Sequence, residues 1–320
     1  ATDNVGNVST VATADGITID TDGPVLETPF EGSLTADRDY QNSATTLIVS
    51  WSGSDTASGI AMYEYALDFF FSGIPLSLVP WTSAETATAD TLTGLSLLTE
   101  GATYYLSVRA TDVAGNMSDP DTSDGITIDL TAPAGTTVSD GTGADISYSG
   151  SDTTLSANWA AFTETVSGVQ KYEYAIGTTS GGTELVTWTD NDTATSVTKS
   201  GLTLSNGTAY YISVRATDNA ENVSTTIISD GVMVDTAAPI AGSVTDSTAA
   251  DLDWTKSTTT LTAVWTGFSD ALSGIQKYEY AIGTTSAGTD VVTWTDNSTT
   301  SSVTRTGLTL TNGTTYYISV

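Results

Sequence analysis

In Tyr210-Tyr211-Ile212-Ser213-Val214-Arg215-Ala216-Thr217-Asp218, the residues Tyr210, Ile212, Val214 and Ala216 alternate with Tyr211, Ser213, Arg215 and Thr217. A strand turns successive side chains to opposite faces, so a period of two assigns the first set to a core and the second to the outer surface. The same alternation runs through Leu155, Ala157 and Trp159, and through Tyr172, Tyr174 and Ile176. Threonine supplies 63 of the 320 residues, a composition that suits pleated surfaces better than helices. No stretch carries a helical apolar stripe.

Outward from this strand the pattern repeats. Tyr63-Glu64-Tyr65, Tyr172-Glu173-Tyr174 and Tyr278-Glu279-Tyr280 are 109 and 106 residues apart, and Trp51, Trp159 and Trp265 step by 108 and 106. Each step is one small domain. Pro24, Pro133 and Pro239 open successive units after an Asp-containing stretch. The expected organisation is residues 1–22 as the last-strand region of a preceding repeat, then sandwiches at 23–131, 132–237 and 238–320. The first of these carries a divergent loop at 67–80, and the last lacks its final strand. Short proline-bearing joints favour a semi-rigid rod. The opening Ala1-Thr2-Asp3-Asn4 matches Ala216-Thr217-Asp218-Asn219, and the closing Tyr316-Tyr317-Ile318-Ser319-Val320 matches Tyr210-Tyr211-Ile212-Ser213-Val214. Two expectations follow: a segment of a longer polypeptide of similar repeats, or a head-to-tail polymer in which residues 1–20 complete a neighbour's last sandwich.

Composition narrows the chemistry. Eight basic residues face 38 acidic ones for a net charge of −30, which argues against nucleic acid and anionic membranes as partners. Divalent cations or high salt would relieve that charge. The chain has no cysteine and no histidine, which removes thiolate chemistry, Cys-based metal sites and the Ser–His–Asp type of catalysis. No apolar run reaches the ~20 residues that span a bilayer. The expectation is a segment without enzymatic activity.

The order Trp159, Tyr172, Leu204, Tyr210, with leucine six residues before the last tyrosine, recurs as Trp265, Tyr278, Leu310, Tyr316 and as Trp51, Tyr63, Leu98, Tyr104. This order resembles fibronectin type III and bacterial Ig-like repeats of large bacterial surface proteins. The resemblance covers the whole chain and implies an all-β tandem array of two-sheet sandwiches at the cell surface or outside the cell. It implies a structural role as stalk, filament or surface fibre. Two alternatives are an adhesion module for glycan or protein, and a non-catalytic spacer of a secreted polysaccharide-degrading enzyme. Its partners would be neighbouring repeats or copies of itself.

An acid stands three residues before each Ser-Gly: Asp55, Glu164 and Asp270. The fold implied by the resemblance brings that loop beside the loop headed by Asp112 or Asp218, at the end where Asp20, Asp129 or Asp235 arrives from the preceding unit. Asp20, Asp55 and Asp112, then Asp129, Glu164 and Asp218, then Asp235 and Asp270, are therefore expected to converge at the joints. Oxygen-only donors of this kind suit calcium; the competing account is Asx turns and surface solubility. Phe69, Phe70 and Phe71 cannot all face inward on a strand, so a sticky patch for a partner stands beside local repacking as an explanation. Tyr105, Tyr211 and Tyr317, with Arg109 and Arg215, are expected to form an outward aromatic and cationic stripe, read as cross-strand packing or a carbohydrate platform.

Overall fold

The computed structural model describes residues 1–71, 74–96, 98–248 and 250–320, and among them it contains strands and no helix. In the first sandwich the strands are β1 (Val25–Glu31), β2 (Tyr40–Gln41), β3 (Thr46–Ser54), β4 (Ile60–Phe71) and β5 (Ile74–Glu85). They are followed by β6 (Ala89–Thr93), β7 (Thr103–Asp112), β8 (Asp121–Thr122) and β9 (Ile126–Ile128). One sheet has the order β1-β3-β6; the other has β2-β9-β7-β4-β5, with β8 also paired to β7. All pairs are antiparallel except β2 with β9. The first strand thus begins in one sheet, breaks, and resumes as β2 on the edge of the other.

The second sandwich repeats this layout with β10 (Val138–Asp140), β11 (Tyr148–Ser149), β12 (Leu155–Trp159), β13 (Val169–Gly177), β14 (Val186–Asp190) and β15 (Ser196–Lys199). It closes with β16 (Ala209–Asp218), β17 (Ile227–Ile228) and β18 (Val232–Val234). Its sheets are β10-β12-β15 and β11-β18-β16-β13-β14. The third holds β19 (Ser243–Thr245), β20 (Leu261–Thr266), β21 (Glu279–Gly283), β22 (Val292–Asp296), β23 (Ser302–Arg305) and β24 (Tyr317–Ser319). These form two three-stranded sheets, β19-β20-β23 and β22-β21-β24.

Each core is the set that the period of two selects. Leu155, Ala157, Trp159, Tyr172, Tyr174, Ile176, Tyr210, Ile212, Val214 and Ala216 are all buried in the second sandwich. Trp159 and Tyr172 meet edge to face at 5.8 Å, as Trp265 and Tyr278 do at 5.6 Å. The tyrosine six residues after the leucine acts as a corner post. Its hydroxyl accepts the N–H of Thr99, Ser205 or Thr311 at 3.0, 2.9 and 2.9 Å, and so fixes the loop that enters β7, β16 or β24.

The described residues of the divergent stretch 67–80 are strand and not loop, while Ser72 and Gly73 lie outside the described residues. Its described residues lengthen β4 and β5 into a hairpin whose register runs from Tyr63↔Glu85 to Phe71↔Ile74, where the second sandwich has the shorter β13–β14 pair. The apolar content of Leu67 to Leu76 is what a strand pair can use: Leu67 is buried and Phe69 packs on Tyr104 at 5.5 Å. Residues 1–22 contain no strand and, among the described residues, one bridge, Thr2↔Val8, and Ile17 and Ile19 are exposed where the matching Ile126 and Ile128 are fully buried.

Candidate functional site at the joints between sandwiches

At the first joint the structure brings Asp20, Asp55 and Asp112 together, with ligand oxygens within 4.8 Å of one another; at the second it does the same for Asp129, Glu164 and Asp218. Asp235 and Asp270 meet at the third joint, where both carboxylates engage Ser273. Three local structures build each cluster. The acid before Ser-Gly caps its own loop: Asp55 Oδ1 accepts the N–H groups of Ala57, Ser58 and Gly59 at 3.1, 2.9 and 2.7 Å. Glu164 does so with Thr165 and Val166, and Asp270 with Leu272 and Gly274.

The second piece is a five-residue hairpin turn. Asp112 accepts both the backbone and side-chain N–H of Asn116 at 2.8 Å each, and Asp218 holds Asn222 at 2.8 and 2.9 Å. Asp3 and Asn7 form the same clasp. The third piece is the incoming aspartate. Its Oδ2 accepts the N–H of the serine in the capped loop, Asp20 from Ser58 at 3.0 Å, Asp129 from Ser167 at 3.2 Å and Asp235 from Ser273 at 3.0 Å. Its backbone carbonyl accepts from the asparagine of the turn, as Asn116 to Asp20 at 3.3 Å and Asn222 to Asp129 at 2.9 Å. At the first two joints one residue therefore ties the end of a unit to two loops of the next.

The electrostatics follow the hydrogen bonds. Burial raises Asp112, but the donors from Asn116 and the turn outweigh it and hold the carboxyl below its ordinary range. Burial dominates at Asp218, reinforced by the charge of Asp129, and pushes that carboxyl up. Asp235 is lowered, chiefly by its hydrogen bonds from Ser273. An ion pair crosses the second joint, Arg38 Nη1 to Glu221 Oε1 at 3.0 Å, over a cleft of 430 Å³ lined also by Tyr40, Gln170 and Asn219.

The aromatic candidates divide. Phe69 is partly buried and packs against the core; Phe70 is 54% exposed and meets Tyr105 edge-on at 5.3 Å; the Phe71 side chain lies outside the described residues. Tyr105 and Tyr211 lie across Gly125 and Gly231, where a Cβ would stand 2.8 and 2.7 Å from the ring. Tyr317 is exposed. The arginines pair elsewhere than with these tyrosines: Arg109 stacks 4.4 Å over Trp81 and bonds Glu64 at 2.8 Å, and Arg215 stacks 4.3 Å over Trp188 and bonds Glu173 at 2.9 Å. Sequence reasoning missed these tryptophans. The signal was the Trp that follows each tyrosine strand, Trp81, Trp188 and Trp294.

The strand order and the three tyrosine corners classify the repeats. The chain is a tandem array of fibronectin type III-like, Ig-like β-sandwiches. No family model matches the chain. It is 32% identical to Exoglucanase B of Cellulomonas fimi over 244 residues, 76% of this array and 20% of that protein. It is 31% identical to Chitinase A1 of Niallia circulans over 197 residues, 61% of the array and 24% of that protein. The array thus spans a quarter or less of the length of these curated relatives. Among solved structures, the FN1-FN3 domains of chicken CNTN1 align with 16% identity and a TM-score of 0.34, covering 92% of this chain and 91% of that one. Titin domains A168-A170 align with 14% identity and a TM-score of 0.40, covering 66% of each.

Proposed function

We propose that this array is a non-catalytic, extracellular spacer that holds neighbouring domains of a longer protein apart, most plainly those of a secreted polysaccharide-degrading enzyme. The observation that carries this reading is the joint: Asp20, Asp129 and Asp235 each anchor the end of one unit in the loops of the next. Such a clasp restrains the angle between sandwiches, which a spacer needs and an active site does not. The two enzyme relatives support the enzyme setting through their names, exoglucanase and chitinase. A stalk or surface fibre would use the same joints, and repeat-to-repeat contact would be its partner interaction. Calcium at the joints belongs to this proposal as a reinforcement, held by the carboxylates of Asp20, Asp55 and Asp112 and of Asp129, Glu164 and Asp218.

Small-angle X-ray scattering of residues 1–320, with calcium and with excess chelator, tests the reading. A rod-like profile that Asp129→Asn/Asn222→Ala converts to a flexible one supports the spacer, and a rod seen only with calcium supports metal at the joints. A flexible profile for the unsubstituted chain under both conditions overturns it. Adhesion is a second reading, favoured by the exposed Phe70 against Tyr105. Loss of glycan or protein binding in Phe70→Ser would support it, and unchanged binding would remove it.

A further inference from the structure

We propose that the first and second sandwiches each bind one hard divalent cation, calcium by its donor set, at the sheet edge where the first strand breaks. The ligands are Glu31, Asp37 and Asp124 in the first sandwich and Asp140, Asp145 and Asp230 in the second. These residues are separate from the joint clusters and owe nothing to them.

Two observations carry the assignment. In each sandwich three carboxylates from the end of the first strand, the following loop and the turn before the last strand place ligand oxygens within 4.8 Å of one another. That alone is ordinary on a chain of net charge −30. The second observation is not: Glu31 and Asp140 are fully buried, and Glu31 Oε2 and Asp140 Oδ1 are buried oxygens without a hydrogen-bond partner. The large majority of buried polar atoms find partners, and a carboxylate oxygen is the costliest to leave without one, so each of these points to a place where something else supplies positive charge or a proton.

The other oxygen of each buried acid has fixed work. Glu31 Oε1 accepts the N–H of Leu106 at 3.0 Å and the hydroxyl of Ser123, plugging the gap in the pairing of β7 between β8 and β9. Asp140 Oδ2 accepts the N–H of Gly231 at 3.1 Å at the matching turn of the second sandwich. The backbone then aims the loop acid at the site: Asp37 Oδ1 takes the N–H of Glu31, and Asp145 Oδ1 that of Asp140. The third sandwich starts the same arrangement, Asp251 Oδ1 taking the N–H of Asp246.

Donor chemistry selects the ion. All six ligands are carboxylates, the choice of a hard cation, and in neither triad does an acid form an ion pair with Lys or Arg among the described residues. Arg38, next to Asp37 in sequence, spends its charge on Glu221. One ligand is buried while Asp37, Asp124, Asp145 and Asp230 are exposed, so an ion could enter from solvent and finish its shell with water. The ion would pin the broken first strand to the turn that starts the last one.

The competing account is a proton shared within each triad. Titration calorimetry of the chelator-stripped chain with calcium chloride separates the two, using Asp124→Asn/Asp230→Asn, whose side chains are exposed, and Asp55→Asn/Glu164→Gln as a joint control. Two calcium-binding events that survive the joint control and weaken by about tenfold or more in Asp124→Asn/Asp230→Asn support the assignment. Identical isotherms for that variant and the unsubstituted chain overturn it, as does absence of calcium binding. Glu31→Gln gives a second reading of the same question, because glutamine imitates the protonated acid. Loss of one calcium-induced rise in Tm in Glu31→Gln supports the cation, and an unchanged rise overturns it.

Discussion

The first two joint clusters and the two sheet-edge clusters each hold three carboxylates with oxygens within 4.8 Å of one another, yet those oxygens are used differently. At the joints, the loop, turn and incoming acids all accept backbone N–H groups, so the acids act as the clasp itself. At the sheet edge, one oxygen of Glu31 or Asp140 plugs a backbone gap while the other is buried without a donor. Acid count therefore says little about a site; what matters is which oxygens the backbone has already claimed. Deleting a buried acid should cost far more than deleting a loop cap. Glu31→Ala leaves Leu106 with a weaker acceptor and a void, an expected loss of about 2–3 kcal/mol from its own sandwich. Asp55→Ala releases turn N–H groups that water can reach, about 1 kcal/mol. Denaturant unfolding followed through each sandwich checks the pair, and equal losses would break the contrast.

Acidity should separate the first sheet-edge triad from the first and third joints, in opposite directions. In chelator, Glu31 has a folded pKa of about 7 against an ordinary 4.5, so the folded state binds the extra proton. The stability linked to it is full below about pH 4.5, fades as pH rises, and is gone above about 7, a span of order 3 kcal/mol. Asp37 and Asp124 carry the facing negative charges, with Ser123 and the Leu106 N–H as donors. Asp112 and Asp235 are lowered, so their contribution is present above about pH 4 and disappears as pH falls below it. Melting at pH 8, 5 and 3.5 in chelator should show the first sandwich gaining stability from 8 to 5 and the first and third joints, held by Asp112 and Asp235, loosening only at 3.5. Calcium should cancel the gain by favouring the ionised triad.

Substitution at the clasp is expected to move shape more than stability. Asp129→Asn weakens the bond from Ser167 while keeping a side-chain acceptor for Thr131, so unfolding should shift by less than about 1 kcal/mol. The scattering profile should broaden toward a bent, variable joint. A stability loss with unchanged shape would make Asp129 an element of the sandwich instead of the joint.

The fold was legible because burial obeys a period of two in residues such as Tyr210 to Ala216, and because the repeat shows which tyrosine is the corner. The joint acids were legible for the same reason: Asp55, Glu164 and Asp270 keep charge at one register while the identity changes. The sheet-edge triads were hidden. Their buried member is Glu31 in one repeat and Asp140 in the next, and the loop between it and the next acid differs by one residue. Asp124-Gly125 and Asp230-Gly231 also read as plain turn residues, and both glycines do take positive φ, +97° and +101°. The long β4–β5 hairpin was hidden because Leu67 to Leu76 departs from the Gly177-Thr178-Thr179 run of its sibling repeat and so reads as a variant loop. The Trp–Arg stacks depend on cross-strand register, which no period along one strand records.

The smallest expected effect is at Glu221, and it asks whether the second joint stores strain. Its φ is +71°, in the left-handed region that L side chains avoid, while Gly6 and Gly115 occupy the matching turn positions at +93° and +96°. The glutamate is the residue that reaches Arg38 across the joint. Glu221→Gly should therefore stabilise the second sandwich by about 0.5–1 kcal/mol while removing a solvent-exposed pair worth no more than that. Glu221→Gln keeps the strain and removes the charge, so it separates the two terms. A second sandwich that melts higher in Glu221→Gly, with a joint more flexible in both variants at low salt, would mean that local strain is exchanged for alignment of the array. Equal flexibility in the two variants and the unsubstituted chain would leave the angle to the Asp129 clasp alone.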